Sequence, residues 1–190
     1  FNEISNKNTR ALALVTAGPG LTNIVTSLSG AWLESRELLV IGGQVKVSDL
    51  SNEDLRSRGI QEIKGVDLVK TITKIAKQIN TPIGPEEFIK IVSESWKPRK
   101  GPVFLEIPID IQACSVSEKN IKKIFNYKLN LINRKDLEYI FKKYNESKKP
   151  ILLIGGGVDY YTMKKCHDLI VKKKIPIMTT YNGADRFDPN

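Results

Sequence analysis

The sequence has few of the residues that build metal centres and disulfide frameworks, with one histidine and two cysteines among 190 residues. His167 stands beside Cys166 with no third ligand at metal-binding spacing, so we predict no metal site within this chain. Two cysteines are too few for a small secreted scaffold, which favours a reduced, cytoplasmic protein. No apolar run approaches the roughly 18 residues of a membrane-spanning helix, so we predict no membrane partner.

Acidic residues are also under-represented, since 30 lysines and arginines face 21 aspartates and glutamates, for a net charge of +9. The excess lies between Lys119 and Lys174, a segment with 15 basic and 5 acidic residues. Basic segments are one signature of nucleic-acid binding. Here the lysines lie between apolar residues at helical spacing, which is typical of solvated helix faces, and no glycine–aromatic RNA motif is present. We therefore predict no nucleic-acid partner.

Apolar runs alternate with helical patterns through the first half of the chain. Ala11 to Thr16 is an unbroken apolar run typical of a strand that is buried on both faces, and Leu38 to Ile41 is a second one. The patterns that follow each run predict helices near 21–32, 66–69 and 85–96 and further strands near 71–79 and 102–107. Strands alternating with helices predict an α/β fold with a doubly wound parallel sheet.

The composition changes after Ile111. We predict a first domain over 1–113, a Ser-, Asn- and Lys-rich linker over 114–133, and the start of a second, Rossmann-like α/β domain over 134–190. The second domain is predicted to hold helices over 134–146 and 160–173 and strands over 150–154 and 175–179. Two strands and two helices are too few to close an independent core, so we expect the chain to be part of a longer protein.

Four short motifs follow one another through the predicted first domain. They are Thr16-Ala-Gly-Pro-Gly-Leu-Thr-Asn23, Gly43-Gln-Val45, Arg58-Gly-Ile-Gln-Glu62 and Gly101-Pro-Val-Phe-Leu-Glu-Ile-Pro108. The first joins a strand to a helix, where ligands of open α/β sheets bind because helix N-termini present unpaired amides. Taken alone it would be an ordinary turn. Taken in this order, the motifs resemble the thiamine diphosphate-dependent enzymes of the acetohydroxyacid (acetolactate) synthase group, strongly over 10–112 and weakly over 134–190.

The resemblance implies a thiamine diphosphate-binding fold and an activity. Such an enzyme decarboxylates a 2-keto acid such as pyruvate and transfers the two-carbon unit to a second 2-keto acid, as in branched-chain amino acid biosynthesis. It implies thiamine diphosphate and Mg²⁺ as cofactors and a homodimer or homotetramer. Two alternatives stay open: another thiamine diphosphate-dependent 2-keto acid decarboxylase or lyase with the same motifs, and a non-catalytic flavin- or nucleotide-binding Rossmann-like module.

The resemblance also assigns roles to individual residues. Pro19, Gly20 and Asn23 match positions beside the aminopyrimidine of the cofactor. Gln61 matches a catalytic glutamine that reaches the reacting molecule. Arg99 matches an arginine that contacts flavin in some relatives; because many relatives bind no flavin, the resemblance leaves FAD open.

Two parts of the expected site have no counterpart in this sequence. The family uses a buried glutamate, on a strand before the first motif, to favour the reactive tautomer of the cofactor. Only fifteen residues precede Thr16, and their one acid, Glu3, has polar neighbours, so we expect this glutamate upstream of Phe1. The Gly-Asp-Gly that begins the family's Mg²⁺ site is also absent. We therefore expect the chain alone to be inactive.

Overall fold

The computed structural model describes residues 10–51, 55–115 and 132–187. These residues fall into two compact units, which meet in the sequence near residue 125. The first unit contains four strands: β1 (Leu12–Val15), β2 (Leu38–Gln44), β3 (Ile75–Gln78) and β4 (Pro102–Pro108). Its helices are α1 (Pro19–Leu33), α2 (Gly65–Val69), α3 (Pro85–Ser93) and α4 (Ile109–Gln112). Short 3-10 turns cover Val47–Asp49 and Lys70–Ile72.

The four strands form one parallel sheet in the order β1-β2-β4-β3. Alternate residues of β4 enter two hydrophobic clusters on opposite faces, because side chains of a strand point alternately to its two sides. Phe104 packs with residues of α1 and α2, whereas Val103 and Leu105 pack with residues of α3. Helices therefore cover both faces, and the predicted doubly wound parallel sheet is confirmed.

One prediction about this sheet was wrong. The run from Ala11 to Thr16 was expected to be buried on both faces, yet Leu12 is 56% and Leu14 is 72% exposed. β1 is the edge strand of the described sheet, and its inward residues Ala13 and Val15 pack against the α1 and α2 cluster. The opposite face is left exposed by the described residues, because α3 packs against β3 and β4 at the far end of the sheet.

The boundaries of several elements differ from the sequence patterns by a few residues. The strand expected near 71–79 begins only at Ile75, because a 3-10 turn precedes it and the Thr73 hydroxyl donates to the Val69 carbonyl at 2.9 Å. The helix expected to reach Trp96 ends at Ser93, where Glu94 and Ser95 already bond in tighter turns. The short helix α4 was not predicted, since four residues are too few to show a period.

The second unit contains α5 (Arg134–Glu146), β5 (Leu152–Ile154), α6 (Tyr160–Lys173) and β6 (Ile177–Thr179), followed by a 3-10 turn over Tyr181–Arg186. β5 and β6 are parallel neighbours, and Ile154 packs with residues of α6. Side-chain oxygens of Asn133 and Asp159 cap the two helices, which explains why their predicted starts were accurate. Of the helices that the structure describes, none has the length and apolarity to cross a bilayer.

Candidate functional site at the carboxyl edge of the sheet

The first and third motifs meet at one edge of the sheet. All four strands are parallel, so their carboxyl ends share this edge, where Gln44 pairs with Pro108. Gly18 follows β1 with a φ of 63°, a conformation that strongly favours glycine. A Cβ added to Gly18 would lie 2.5 Å from the backbone oxygen of Gln61. The structure therefore brings two segments, separated by about forty residues in sequence, into direct contact.

The amino terminus of α1 faces the same edge. Its N-cap is Gly18, which supplies no side-chain cap, and the first intrahelical bond runs from the Thr22 amide to the Gly18 carbonyl at 3.0 Å. The amides at the start of α1 thus form a weakly positive terminus. Pro19 and Asn23 are exposed and lie four residues apart, on one face of the helix. Gly20 packs closely against Thr16, since a Cβ at position 20 would lie 2.7 Å from the Thr16 methyl group.

The loop that carries Gln61 is organised around the carboxylate of Glu62. Oε1 of Glu62 accepts hydrogen bonds from the Ser51 amide at 2.6 Å and the Ser51 hydroxyl at 2.8 Å. Oε2 accepts from the amides of Arg58 at 2.7 Å and Gly59 at 3.0 Å. We call this arrangement the Glu62 clamp. Through these hydrogen bonds, Ser51 at one end of the loop and Arg58 and Gly59 near the other end contact the same side chain.

The same hydrogen bonds set the ionisation of Glu62. Burial pushes the pKa of this carboxyl upward, but the amides of Gly59, Ser51 and Arg58 and the Ser51 hydroxyl outweigh it, so the pKa falls from 4.5 to about 2. A carboxylate that accepts several N–H bonds is stabilised in its charged form. Glu62 is therefore ionised at neutral pH, and the clamp is fully formed there.

A second carboxyl lies beneath the loop. Glu106 of β4 is 3% exposed, and burial raises its pKa from 4.5 to about 7, although a hydrogen bond from Gln44 opposes the rise. Gln44 also donates to the Ile63 carbonyl at 3.0 Å and accepts from the Val45 amide at 2.9 Å. A Cβ added to Gly65 would lie 2.1 Å from Oε1 of Glu106. Gln44 therefore anchors the end of the loop from the core side, and Glu106 lies against Gly65 at the start of α2.

Arg99, the candidate flavin contact, lies elsewhere. It precedes β4, whereas Pro19 and Gln61 lie near the carboxyl ends of the strands, so a strand length of about 20 Å separates them. Its Nε donates to the Ser35 hydroxyl at 2.6 Å, just beyond the carboxyl end of α1. The structure thus brings Pro19, Gly20, Asn23 and Gln61 to one edge and leaves Arg99 at the opposite edge.

Sequence reasoning missed the roles of two acids. Glu62 was quoted only as a motif residue, and Glu106 only as part of an apolar strand. A single carboxylate within the otherwise apolar run Pro102 to Pro108 was a usable signal, because buried acids need a specific partner. Glu3 lies outside the described residues. Within the ranges that the structure describes, no three histidine, cysteine or acidic side chains converge as a metal site.

Comparison with known proteins identifies relatives of this chain. Residues 3–68 match the family described as thiamine pyrophosphate enzyme, N-terminal TPP binding domain. The chain is 29% identical over 180 residues to the acetolactate synthase large subunit of Lactococcus lactis and 30% identical over 192 residues to the acetolactate synthase of Arthrospira platensis. It is 31% identical over 183 residues to the probable acetolactate synthase large subunit of Methanocaldococcus jannaschii.

These three alignments cover 90%, 94% and 90% of this chain, in the order given, but only 30%, 31% and 30% of the relatives. The chain therefore spans about 30% of the length of the curated relatives that it matches. The resemblance inferred from the four motifs is confirmed.

Proposed function

We propose that this chain belongs to the thiamine pyrophosphate enzymes through its N-terminal domain and forms part of an acetolactate synthase-like enzyme that acts on 2-keto acids. The observation that carries the proposal is the contact between Gly18 and Gln61 at the carboxyl edge of the sheet. It unites the two motifs to which the resemblance assigns cofactor and substrate contacts.

The residues at this edge fit the pyrimidine end of thiamine diphosphate. The N-terminus of α1 has no side-chain cap, and Pro19 and Asn23 are exposed beside it. A flat heterocycle can approach such a backbone closely, and an amide side chain offers it both a donor and an acceptor. Pro19, Gly20 and Asn23 would hold the ring, and Gln61 would contact the substrate.

When bound, thiamine diphosphate supplies an electron sink that allows a 2-keto acid to lose carbon dioxide and pass on its two-carbon unit. The chain's own contribution is binding and orientation. Gly18 lets the backbone of Gln61 come close to the α1 terminus, and the Glu62 clamp fixes the loop that carries Gln61. Orientation of this kind lowers the entropic part of a barrier.

The residues present do not fit the other implied groups equally well. The described ranges contain no cluster of three acidic, histidine or cysteine side chains. Because the sequence has no Gly-Asp-Gly, we expect the Mg²⁺ site outside this chain and derive no step through it. Arg99 is exposed and bonded to Ser35 at the amino edge of the sheet, away from the pyrimidine residues. FAD remains a prediction from the resemblance alone.

The proposal extends to partners and to the chain by itself. The substrate would be a small 2-keto acid such as pyruvate, joined to a second 2-keto acid in branched-chain amino acid biosynthesis. The assembled enzyme would be a cytoplasmic homodimer or homotetramer. Because the sequence contains no Gly-Asp-Gly, we expect the isolated chain to be inactive and to bind the cofactor weakly.

The decisive experiment measures pyruvate consumption and acetolactate formation by the full-length protein, with and without thiamine diphosphate and Mg²⁺. Cofactor-dependent acetolactate formation would support the proposal. A different product from a 2-keto acid would indicate a sister enzyme of the same superfamily. A bound flavin without turnover of any keto acid would indicate a non-catalytic module instead.

A variant pair tests the assigned cofactor contact. Asn23→Ala removes one amide beside the α1 terminus and should weaken thiamine diphosphate binding about 3- to 10-fold, the usual effect of one lost hydrogen bond. Ser27→Ala, one turn further along the same exposed helix face, is the matched control and should leave the dissociation constant unchanged. Equal effects of both substitutions, measured by calorimetry, would remove Asn23 from the site.

A further inference from the structure

The Glu62 clamp holds together residues that are far apart along the loop. Ser51 precedes Glu62 by eleven positions, and both its amide and its hydroxyl donate to Oε1. Arg58 and Gly59 donate to Oε2 through their amides. Four donors converge on one carboxylate, and three of them are backbone groups. The described parts of the loop, Ser51 and Arg58 to Glu62, are therefore held together by this side chain.

The residue before Glu62 has an unusual backbone conformation. Gln61 has a φ of 61°, in the left-handed region that side chains other than glycine rarely adopt. Its backbone oxygen and its Cβ both lie within 3 Å of the point that a Cβ of Gly18 would occupy. Such a conformation persists only where surrounding contacts enforce it. The adjacent clamp supplies those contacts.

Gly59, two residues before Gln61, is packed as closely as Gln61 itself. A Cβ added to Gly59 would lie 2.2 Å from Cγ1 of Val45, which directly follows β2. Gly59 also donates its amide to Glu62. Two close glycine contacts therefore hold this segment: Gly59 packs against Val45, and Gly18 packs against the backbone of Gln61.

We propose that Glu62 is a positioning residue that acts through Gln61, by holding the loop so that Gln61 stays against the Gly18 turn. This inference rests on the proposed function, which makes Gln61 a substrate contact. It adds a role for a side chain that would touch neither cofactor nor substrate.

The geometry requires a carboxylate rather than an amide. Each oxygen of Glu62 accepts two hydrogen bonds, and a carboxylate can accept on both sides at once. In Glu62→Gln one side becomes an NH₂ group, which faces either the two donors of Ser51 or the amides of Arg58 and Gly59. This near-isosteric change therefore opens one half of the clamp without creating a cavity.

The first readout is independent of activity. The loop contains two trypsin sites, Arg56 and Arg58, and cleavage there requires the loop to open. In the full-length protein, Glu62→Gln should increase trypsin cleavage at these sites about tenfold, as followed by mass spectrometry. Asp49→Asn removes one exposed acid from the same segment outside the clamp and should leave cleavage unchanged.

The second readout is a double-mutant cycle on turnover. Glu62→Gln should lower kcat with less than about a threefold change in the dissociation constant of thiamine diphosphate. In a Gln61→Ala background, Glu62→Gln should lower kcat little further, because the side chain that Glu62 positions is already absent. Full additivity of the two substitutions would overturn the proposal, since it would show that Glu62 acts independently of Gln61.

Two further outcomes separate the inference from the proposed function. If the wild-type protein shows no thiamine diphosphate-dependent turnover, the proposed function fails and the role of Gln61 fails with it. If the wild type is active but Glu62→Gln retains wild-type cleavage and kcat, only the positioning role is overturned. Should Glu62→Gln not fold, Ser51→Ala removes a single hydroxyl donor and should give a smaller change in the same direction in both readouts.

Discussion

Two carboxyl groups near the loop at the carboxyl edge of the sheet lie in opposite environments. Glu62 lies on the solvent side, where four donors surround it and lower its pKa to about 2. Glu106 lies on the core side, where burial raises its pKa to about 7 despite a hydrogen bond from Gln44. The two glutamates therefore differ in pKa because burial dominates around Glu106, whereas hydrogen-bond donors outweigh burial around Glu62.

Gly18 and Gly65 also differ in how strongly a larger residue would destabilise the fold. Gly18 is buried, and its neighbour is the backbone of Gln61, which cannot rotate away. On the core side the neighbours of Gly65 are the side chains of Glu106 and Leu21. Side chains can change rotamer, whereas a backbone contact has to be relieved by movement of the whole loop. The Gly18 contact is therefore the less tolerant of the two.

The largest effect is expected for Gly18→Ala. The new Cβ would lie 2.5 Å from the Gln61 oxygen, and alanine would have to adopt a φ of 63°. Overpacking and left-handed strain together should lower the free energy of unfolding by about 2–4 kcal/mol. Urea unfolding followed by tryptophan fluorescence reports on this unit, since both tryptophans of the chain, Trp32 and Trp96, lie in it.

Gly30→Ala is the control for this substitution. Gly30 lies in α1 with no atom within 4 Å of an added Cβ, so alanine should leave stability unchanged or raise it by up to about 1 kcal/mol. A loss of stability in Gly30→Ala similar to that in Gly18→Ala would show that the Gly18 contact is not the cause.

We expect Glu106, on the core side, to make the free energy of unfolding depend on pH. Because the folded pKa of Glu106 is about 7 and its ordinary value is 4.5, the folded state binds more protons between these two pH values. The contribution of Glu106 is therefore complete below pH 4.5 and is lost as the pH rises to about 7. Glu106→Gln should remove this fall, as measured by urea unfolding at a series of pH values.

A matched acid strengthens that test. Glu86→Gln removes one carboxylate from the exposed first turn of α3 and should preserve the wild-type slope between pH 4.5 and 7. If Glu106→Gln also preserved the slope, Glu106 would have to be ionised in the folded state. The contrast between the two sides of the loop would then be lost.

The sequence predicted the sheet better than the site, for identifiable reasons. Apolar runs and helix periods located β2, β4, α5 and α6, because these patterns depend on neighbouring residues. The exposure of Leu14 was not predictable, since it depends on where α3 packs. The motifs supplied Pro19, Asn23 and Gln61 through the resemblance. The apolar run around Glu106 did signal a buried acid, whereas the clamp depends on contacts between distant segments, which no local pattern encodes.

The smallest effect is expected for Glu62, whose contribution to stability should be lost at low pH. The folded pKa of Glu62 is about 2, below its ordinary 4.5, so its contribution to stability is complete above pH 4.5 and is lost as the pH falls toward 2. Solvent screens a partly exposed clamp, which makes this loss smaller than that of the buried acid. Glu62→Gln should flatten the wild-type decline over this range in acid unfolding curves, whereas Asp49→Asn should leave it intact. A Glu62→Gln curve parallel to wild type would mean that the four hydrogen bonds do not favour the ionised carboxylate, and the two sides of the loop would then differ in burial alone.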